Sequence, residues 1–297
     1  MKSIKLLLAN IMCIMPILSH AQGMNHLTSD VRSLLDTVHG TFAVVFIPLD
    51  GRGGLMVNEK IMFHAASTMK TPVMIEVFKQ IREGRIALDD SLDVKNEFKS
   101  IVDGSPYQLD LTQDSDDSMY KRVGGKASVR ELLFQMITVS SNLATNILIG
   151  LVDARNVTAT MRGLGVGDIE VLRGVEDGKA FEKGLNNRTN ALDLAIIMKS
   201  IGDGKAVDQS ASDAMMDILL AQKFCDIIPA LLPKRVRVAH KTGSITGVEH
   251  DSGVVFLPDG RRYVLVLLSK DLKDAASGKA ALAQVSRRIY DFMIQGK

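Results

Sequence analysis

The chain has 297 residues, 36 lysines and arginines against 34 aspartates and glutamates, 46% hydrophobic residues and two cysteines. That near-even charge excludes the strong basic field of a nucleic-acid binder or of a protein held on an anionic membrane. The hydrophobic content can fill a large core, in one domain or two.

Lys2 and Lys5 precede an apolar run, Leu6 to Leu18, broken only by Asn10. Ser19-His20-Ala21 suits cleavage before Gln22, so 1–21 reads as a secretory signal and the mature protein is expected to be exported, periplasmic or secreted. The run is too short to span a bilayer comfortably, and no stable membrane span is expected. Removing it takes two lysines and no acids, leaving 34 bases against 34 acids. Cys13 goes with it. Cys225 then stands alone, no internal disulfide can form, and packing must supply the stability.

Leu27 to Val38 reads as a helix, with Thr28, Ser29 and Asp30 as caps and Gly40 as a stop. Thr41 to Ile47 reads as a strand, and Leu55-Met56-Val57 as a short return after the Asp50–Gly54 turn. Most of Thr68 to Cys225 reads as helical. Met69, Val73, Val77 and Ile81 recur on one face, and further helices are expected at Val129–Met136, Leu143–Val152, Ala191–Ile201 and Ala211–Ala221. The fifteen methionines fall mostly at core spacing. Gln113 to Asp117 is a polar surface loop. Strands return at Val236–His240, Gly253–Leu257 and Tyr263–Leu268, with Pro258-Asp259-Gly260 turning between the last two, and Ala276–Ile294 closes as a helix.

Strands at both ends with helices between them predict an α+β fold. One antiparallel sheet is built from both chain ends and flanked by helices, and a separate helical lobe fills the middle. The expected lobes are 22–66 with 226–297, and 67–225, with a site in the cleft between them.

Ser67 and Lys70 stand one helical turn apart, so both side chains share a face. A serine hydroxyl needs a base, and a lysine can serve only when burial or a helix N-terminus lowers its pKa. The helix start, with Pro72 tolerated there, also offers free N–H groups to an oxyanion. Ser118-Met119-Tyr120-Lys121 repeats the spacing, but it follows an acidic loop with no apolar helix behind it and reads as a solvated turn.

Three motifs follow in order: Ser67-Thr68-Met69-Lys70, Ser140-Ser141-Asn142 and Lys241-Thr242-Gly243. With flanks that run on through Asp251 and Val254 to Gly260, they resemble the class A β-lactamases and penicillin-binding serine hydrolases over almost the whole mature chain. The resemblance implies the β-lactamase/transpeptidase-like fold and a serine enzyme that opens a β-lactam by way of an acyl-enzyme on Ser67. It gives Ser140 a proton relay to the departing nitrogen and Asn142 a hold on the substrate amide. Lys241, at a strand end, with Thr242 and Ser244 would attract the substrate carboxylate, and Gly243 would let the substrate pair with the strand edge.

Class A enzymes deacylate with a glutamate. Glu182-Lys183-Gly184-Leu185-Asn186 matches their Glu-x-x-Leu-Asn pattern, but it crowds Arg188-Thr189-Asn190, which resembles the end of the omega loop. Glu176 has the family's spacing from Ser140, with Asp177 where a proline often follows, and loop length favours it. Ser141 stands in place of the usual aspartate, a looser form typical of penicillin-binding proteins. His250 falls near the family's usual arginine. His64 and His240 read as packing residues, since a triad needs an orienting acid that sequence cannot place.

No Gly-x-Ser-x-Gly elbow, His-Glu-x-x-His, P-loop or metal-ligand spacing occurs, and Gly163 to Gly167 is no dinucleotide fingerprint. No cofactor or metal is expected. The expected partner is a small-molecule β-lactam or a D-Ala-D-Ala-like peptide, met by a monomer. A penicillin-binding-type D,D-peptidase with slow β-lactam turnover is the alternative, and a sensor without turnover a third.

Overall fold

The computed structural model describes residues 22–295, so the signal segment 1–21 lies outside the described residues. A five-stranded antiparallel sheet runs in the order Leu55–Val57, Thr41–Pro48, Arg262–Lys270, Val248–Phe256, Arg237–Ile245. Both chain ends therefore build it, as the sequence predicts.

Side chains alternate across the pleat, so each strand feeds two cores. Phe42, Val44, Phe46, Leu265 and Leu267 pack with Leu282, Val285 and Ile289 of the closing helix Ala275–Gln295 and with Val31 and Leu35 of the first helix. Ala43, Val45, Val264, Val266 and Leu268 join the helical part, together with Leu194 and Met198 of Ala191–Gly202 and Met69, Val73 and Val77 beneath Ser67. Burying one such aliphatic side chain is worth roughly 1.5–3 kcal/mol, so both faces hold the sheet firmly.

Apart from Lys70–Arg82, the helices of the middle start where polar caps stand. Ser128 and Glu131 form a reciprocal capping box on Val129–Thr138, and Ser141 Oγ accepts from Ala144 N at the start of Asn142–Val152. Among the described residues no helix is long and apolar enough to cross a membrane.

Several boundaries differ from expectation. The first helix occupies 22–35, and Asp36 to Gly40 turn the chain into the sheet. The helix Ala154–Gly163 falls within the stretch expected to be mostly helical, without bounds of its own there, and Asp153 caps it by accepting from Arg155 N. The second Ser-x-x-Lys copy is a turn with Ser118 and Lys121 exposed, as expected, but it passes into a 3-10 turn, Tyr120–Arg122, and its Met119 is in the core. The edge strand Arg237–Ile245 runs through the whole third motif, so Lys241 lies in mid-strand and not at a strand end.

Candidate active site

Ser67 sits in a 3-10 turn, Ala66–Met69, that leads into the helix Lys70–Arg82. No side chain caps either start, which leaves backbone N–H groups for a ligand. Ala66 carries a left-handed φ of 44°, and His64 Nδ1 accepts from its N–H at 3.0 Å. Gly243 of the edge strand presses on this turn. A Cβ there would lie 3.0 Å from Ser67 N and 3.1 Å from Thr68 N. Its lack of a side chain serves this close approach.

Lys70 is fully buried. Its Nζ donates to Ser140 O at 2.6 Å and Asn142 Oδ1 at 2.9 Å, and lies 3.2 Å from Ser140 Oγ. These bonds bind the base to the second motif, although Ser67 is one turn away. Burial pulls the Lys70 amine down to about 7, against the pull of the Asp114 and Glu176 carboxylates. Lys241, also fully buried, reaches Ser140 Oγ at 3.0 Å and the Thr242 carbonyl at 2.8 Å. Burial and the neighbouring Lys70 hold it well below the ordinary lysine range.

Asn142 ties this group to Glu176. Its Nδ2 donates to Glu176 Oε1 at 2.8 Å, and Asp110 N donates to Glu176 Oε2 at 3.0 Å. Glu176 and Ser140 both have φ of 60°, the left-handed strain that clusters at working sites. Glu182 is exposed at the end of the short helix Gly178–Glu182.

The loop carrying Glu176 is fastened by residues to which sequence reasoning gave no such role. Asn146 Oδ1 accepts from Val175 N at 2.7 Å and its Nδ2 donates to Val175 O at 3.1 Å, a fit that needs Gly174, where a Cβ would strike Asn146. Asn187 pairs with Leu172 N and Arg173 O. Asp177 accepts from Ser100 Oγ and Ile101 N, so the residue in the proline's place is an anchor. Asp114 accepts from Asn142 N at 2.8 Å and Leu143 N at 3.1 Å. Read as part of a solvated loop, it turns inward to hold the second motif.

Two cavities meet at Ser67 and Ser244. One of about 490 Å³ is lined by Asn142, Arg173 and Glu176 among others, and one of about 210 Å³ by Ser140, Thr242, Gly243 and Glu249. Ser244 Oγ donates to Glu249 Oε1 at 2.9 Å. A larger hollow of about 640 Å³, between the first helix and the sheet, touches none of the site residues.

The histidines part company. His250 is fully buried between His64 O and Ser269 N, and burial lowers it to about 4, so it is neutral and cannot replace an arginine. His64 lines the larger cavity. His240 is no mere packing residue, because its Nδ1 meets Asp251 Oδ1 at 2.9 Å.

A serine at the head of a helix, beneath the edge strand of a sheet closed by both chain ends, is the architecture of the serine β-lactamase hydrolases. The chain belongs to the beta-lactamase enzyme family, whose profile matches residues 26–293. It is 24% identical over 286 residues to a beta-lactamase of Bacteroides uniformis, covering 92% of this chain and 93% of that one. It is 23% identical to the extended-spectrum beta-lactamase PER-1 of Pseudomonas aeruginosa, with 91% and 88% covered. Among solved structures, an acyl-enzyme complex of a PBP-A variant with penicillin G matches with a TM-score of 0.79 at 28% identity, over 92% of this chain and 97% of that one. A beta-lactamase from Sphaerobacter thermophilus matches with a TM-score of 0.79 at 25% identity, over 90% and 97%.

Proposed function

We propose that the protein is an exported, class A-type β-lactamase that works through an acyl-enzyme on Ser67. The observation that carries the reading is the hydrogen-bonded line Lys70–Asn142–Glu176 beside Ser67, with Ser140 held between two buried lysines.

Ser67 Oγ attacks the lactam carbonyl, and the oxyanion meets the uncapped start of the helix. Lys70, near neutrality in its titration, receives the hydroxyl proton. The C–N bond breaks as Ser140 passes a proton to the nitrogen. A water then attacks the ester while Glu176 takes its proton, and Ser67 is released. Lys241 and Thr242 face the substrate carboxylate, and the free edge of the strand Arg237–Ile245 pairs with the substrate amide. Glu182 is left out of this scheme, since it is exposed at the end of the helix Gly178–Glu182, whereas Glu176 is bonded to Asn142.

Intact-mass spectrometry of the protein mixed with benzylpenicillin tests it. A mass shift that forms quickly and vanishes as penicilloate accumulates is expected. A shift that persists would overturn hydrolysis as the function.

A D,D-peptidase of penicillin-binding type is the second reading. It is favoured by Ser141, which occupies the usual aspartate's place as a helix cap, and by the 28% identity to PBP-A. Cleavage of a D-Ala-D-Ala peptide, with slow loss of the penicilloyl adduct, separates it from the first.

A further inference from the structure

Outside the cleft, three side chains form a second set that the β-lactam chemistry does not use. Gly253 lies across the sheet from His240, and a Cβ there would meet His240 Cβ at 2.6 Å, so the glycine leaves room for the imidazole. The ring is 1% exposed, and its Nδ1 lies 2.9 and 3.0 Å from the two Asp251 oxygens. Asp251 is fully buried and also accepts from Ile228 N at 3.0 Å, so it cannot swing away. On the other side of the ring, Nε2 lies 4.0 Å from Cys225 Sγ, which also contacts Gln222 O at 3.7 Å. Cys225 itself is exposed.

The arrangement joins an accessible sulfur, an imidazole and a buried carboxylate that orients the imidazole, the order that activates a nucleophile. Burial pulls His240 down, but the charge and hydrogen bond of Asp251 outweigh it and raise the ring to about 9. At neutral pH the ring is therefore an imidazolium with Nδ1–H on Asp251 and Nε2–H toward the sulfur. Asp251 and Cys225 are the titratable side chains that act on it.

We propose that Cys225, His240 and Asp251 form a reactive thiol site that takes up small aliphatic disulfides and soft electrophiles. In the disulfide reaction the Cys225 sulfur, its proton released to solvent and its charge held by Nε2–H, attacks one sulfur of the reagent. The reagent's S–S bond breaks, a mixed disulfide forms, and the leaving thiolate takes a proton from solvent. Cys225 lines neither cavity at Ser67, although its neighbours Phe224 and Asp226 line the smaller one, so the adduct forms outside the cleft. The site stands independently of the β-lactam reading.

Hydroxyethyl disulfide and iodoacetamide are the probes, applied to the folded protein near pH 7, with the adduct located by peptide mass mapping. A synthetic peptide of residues 219–231 supplies the reference thiol. Cys225 in the folded protein should react about tenfold faster than the peptide, the gain an imidazolium neighbour gives a thiol. His240→Asn should remove the excess. Equal or slower reaction of the folded protein overturns the proposal, and so does a folded His240→Asn variant that keeps the fast rate. Should that variant fail to fold, the ratio of wild type to peptide decides alone.

Discussion

Lys70 and Lys241 converge on one oxygen: Ser140 Oγ lies 3.2 Å from the first Nζ and 3.0 Å from the second. Two buried ammonium groups so placed repel, so one gives up its proton readily. Lys70 spends its other contacts on the Ser140 carbonyl and Asn142 Oδ1, which can only accept. Once neutral, it has two N–H groups for these and a lone pair left for the Ser140 hydroxyl. This placement suits the proposed relay of a proton through Ser140 between Lys70 and the leaving nitrogen. Ser140→Ala should slow acylation by benzylpenicillin about 10²–10⁴-fold, the usual worth of positioned proton transfer, as read by time-resolved intact mass. Acylation at the wild-type rate would remove the relay.

The Lys70 amine at about 7 sets a pH dependence. In the proposed mechanism the neutral amine is the base, so kcat/KM should rise with pH through about 7. Asp114 holds Lys70 up, and replacing its charge should let the amine fall further. Asp114→Asn should therefore move the acidic limb to lower pH, while the asparagine carbonyl can still accept from Asn142 N and Leu143 N, so stability should change little. The depressed amine also acts on folding. Above about 7 the unfolded chain keeps a proton that folded Lys70 lacks, so stability from this group rises with pH toward the ordinary lysine range. Lys70→Met should flatten that rise in denaturant titrations.

Glu176 and Glu182 make opposite predictions. Glu176 reaches Lys70 through Asn142, whereas Glu182 is exposed at the end of the helix Gly178–Glu182. Glu176→Gln should acylate and then deacylate about 10²–10⁴-fold more slowly, so that the penicilloyl adduct accumulates. Glu182→Gln should turn over within about twofold of wild type, as surface changes away from a site do. The reverse pattern would move the base to Glu182.

The near-continuous apolar runs Thr41 to Ile47 and Tyr263 to Leu268 made the sheet readable, because each strand buries both faces against helices. Ser67, Lys70, Ser140 and Lys241 were readable because few chemistries need those residue types in that order. Their companions were not. Asp114 and Asn146 are ordinary loop and helix polar residues until the fold brings Asn142 and Val175 against them. Asp251 reaches His240 only through the diagonal of an antiparallel pair whose register the sequence leaves open. The Glu-x-x-Leu-Asn match at Glu182 shows the limit of a short local pattern, which says nothing of which way its side chain faces: Glu182 is exposed, and it is Glu176 that bonds Asn142.

Gly243→Ala tests the contact between the edge strand and the nucleophile. The new Cβ would stand 3.0 Å from Ser67 N and 3.1 Å from Thr68 N, both backbone atoms of the turn that begins at Ala66. That turn must then give by a few tenths of an ångström, which carries Ser67 away from Lys70 and the oxyanion donors. Overpacking of this kind costs about 1–3 kcal/mol of stability. A shift of 1 Å costs about 10²-fold in rate, so kcat/KM should fall about tenfold. Gly253→Ala is the contrasting variant. Its Cβ would strike His240 Cβ and Ala239 O behind the cleft, so stability should fall while kcat per folded molecule stays near wild type. Thermal melts with active-site titration by penicillin distinguish the two. Equal kcat/KM per folded molecule in both variants would mean that the third motif does not set the position of Ser67.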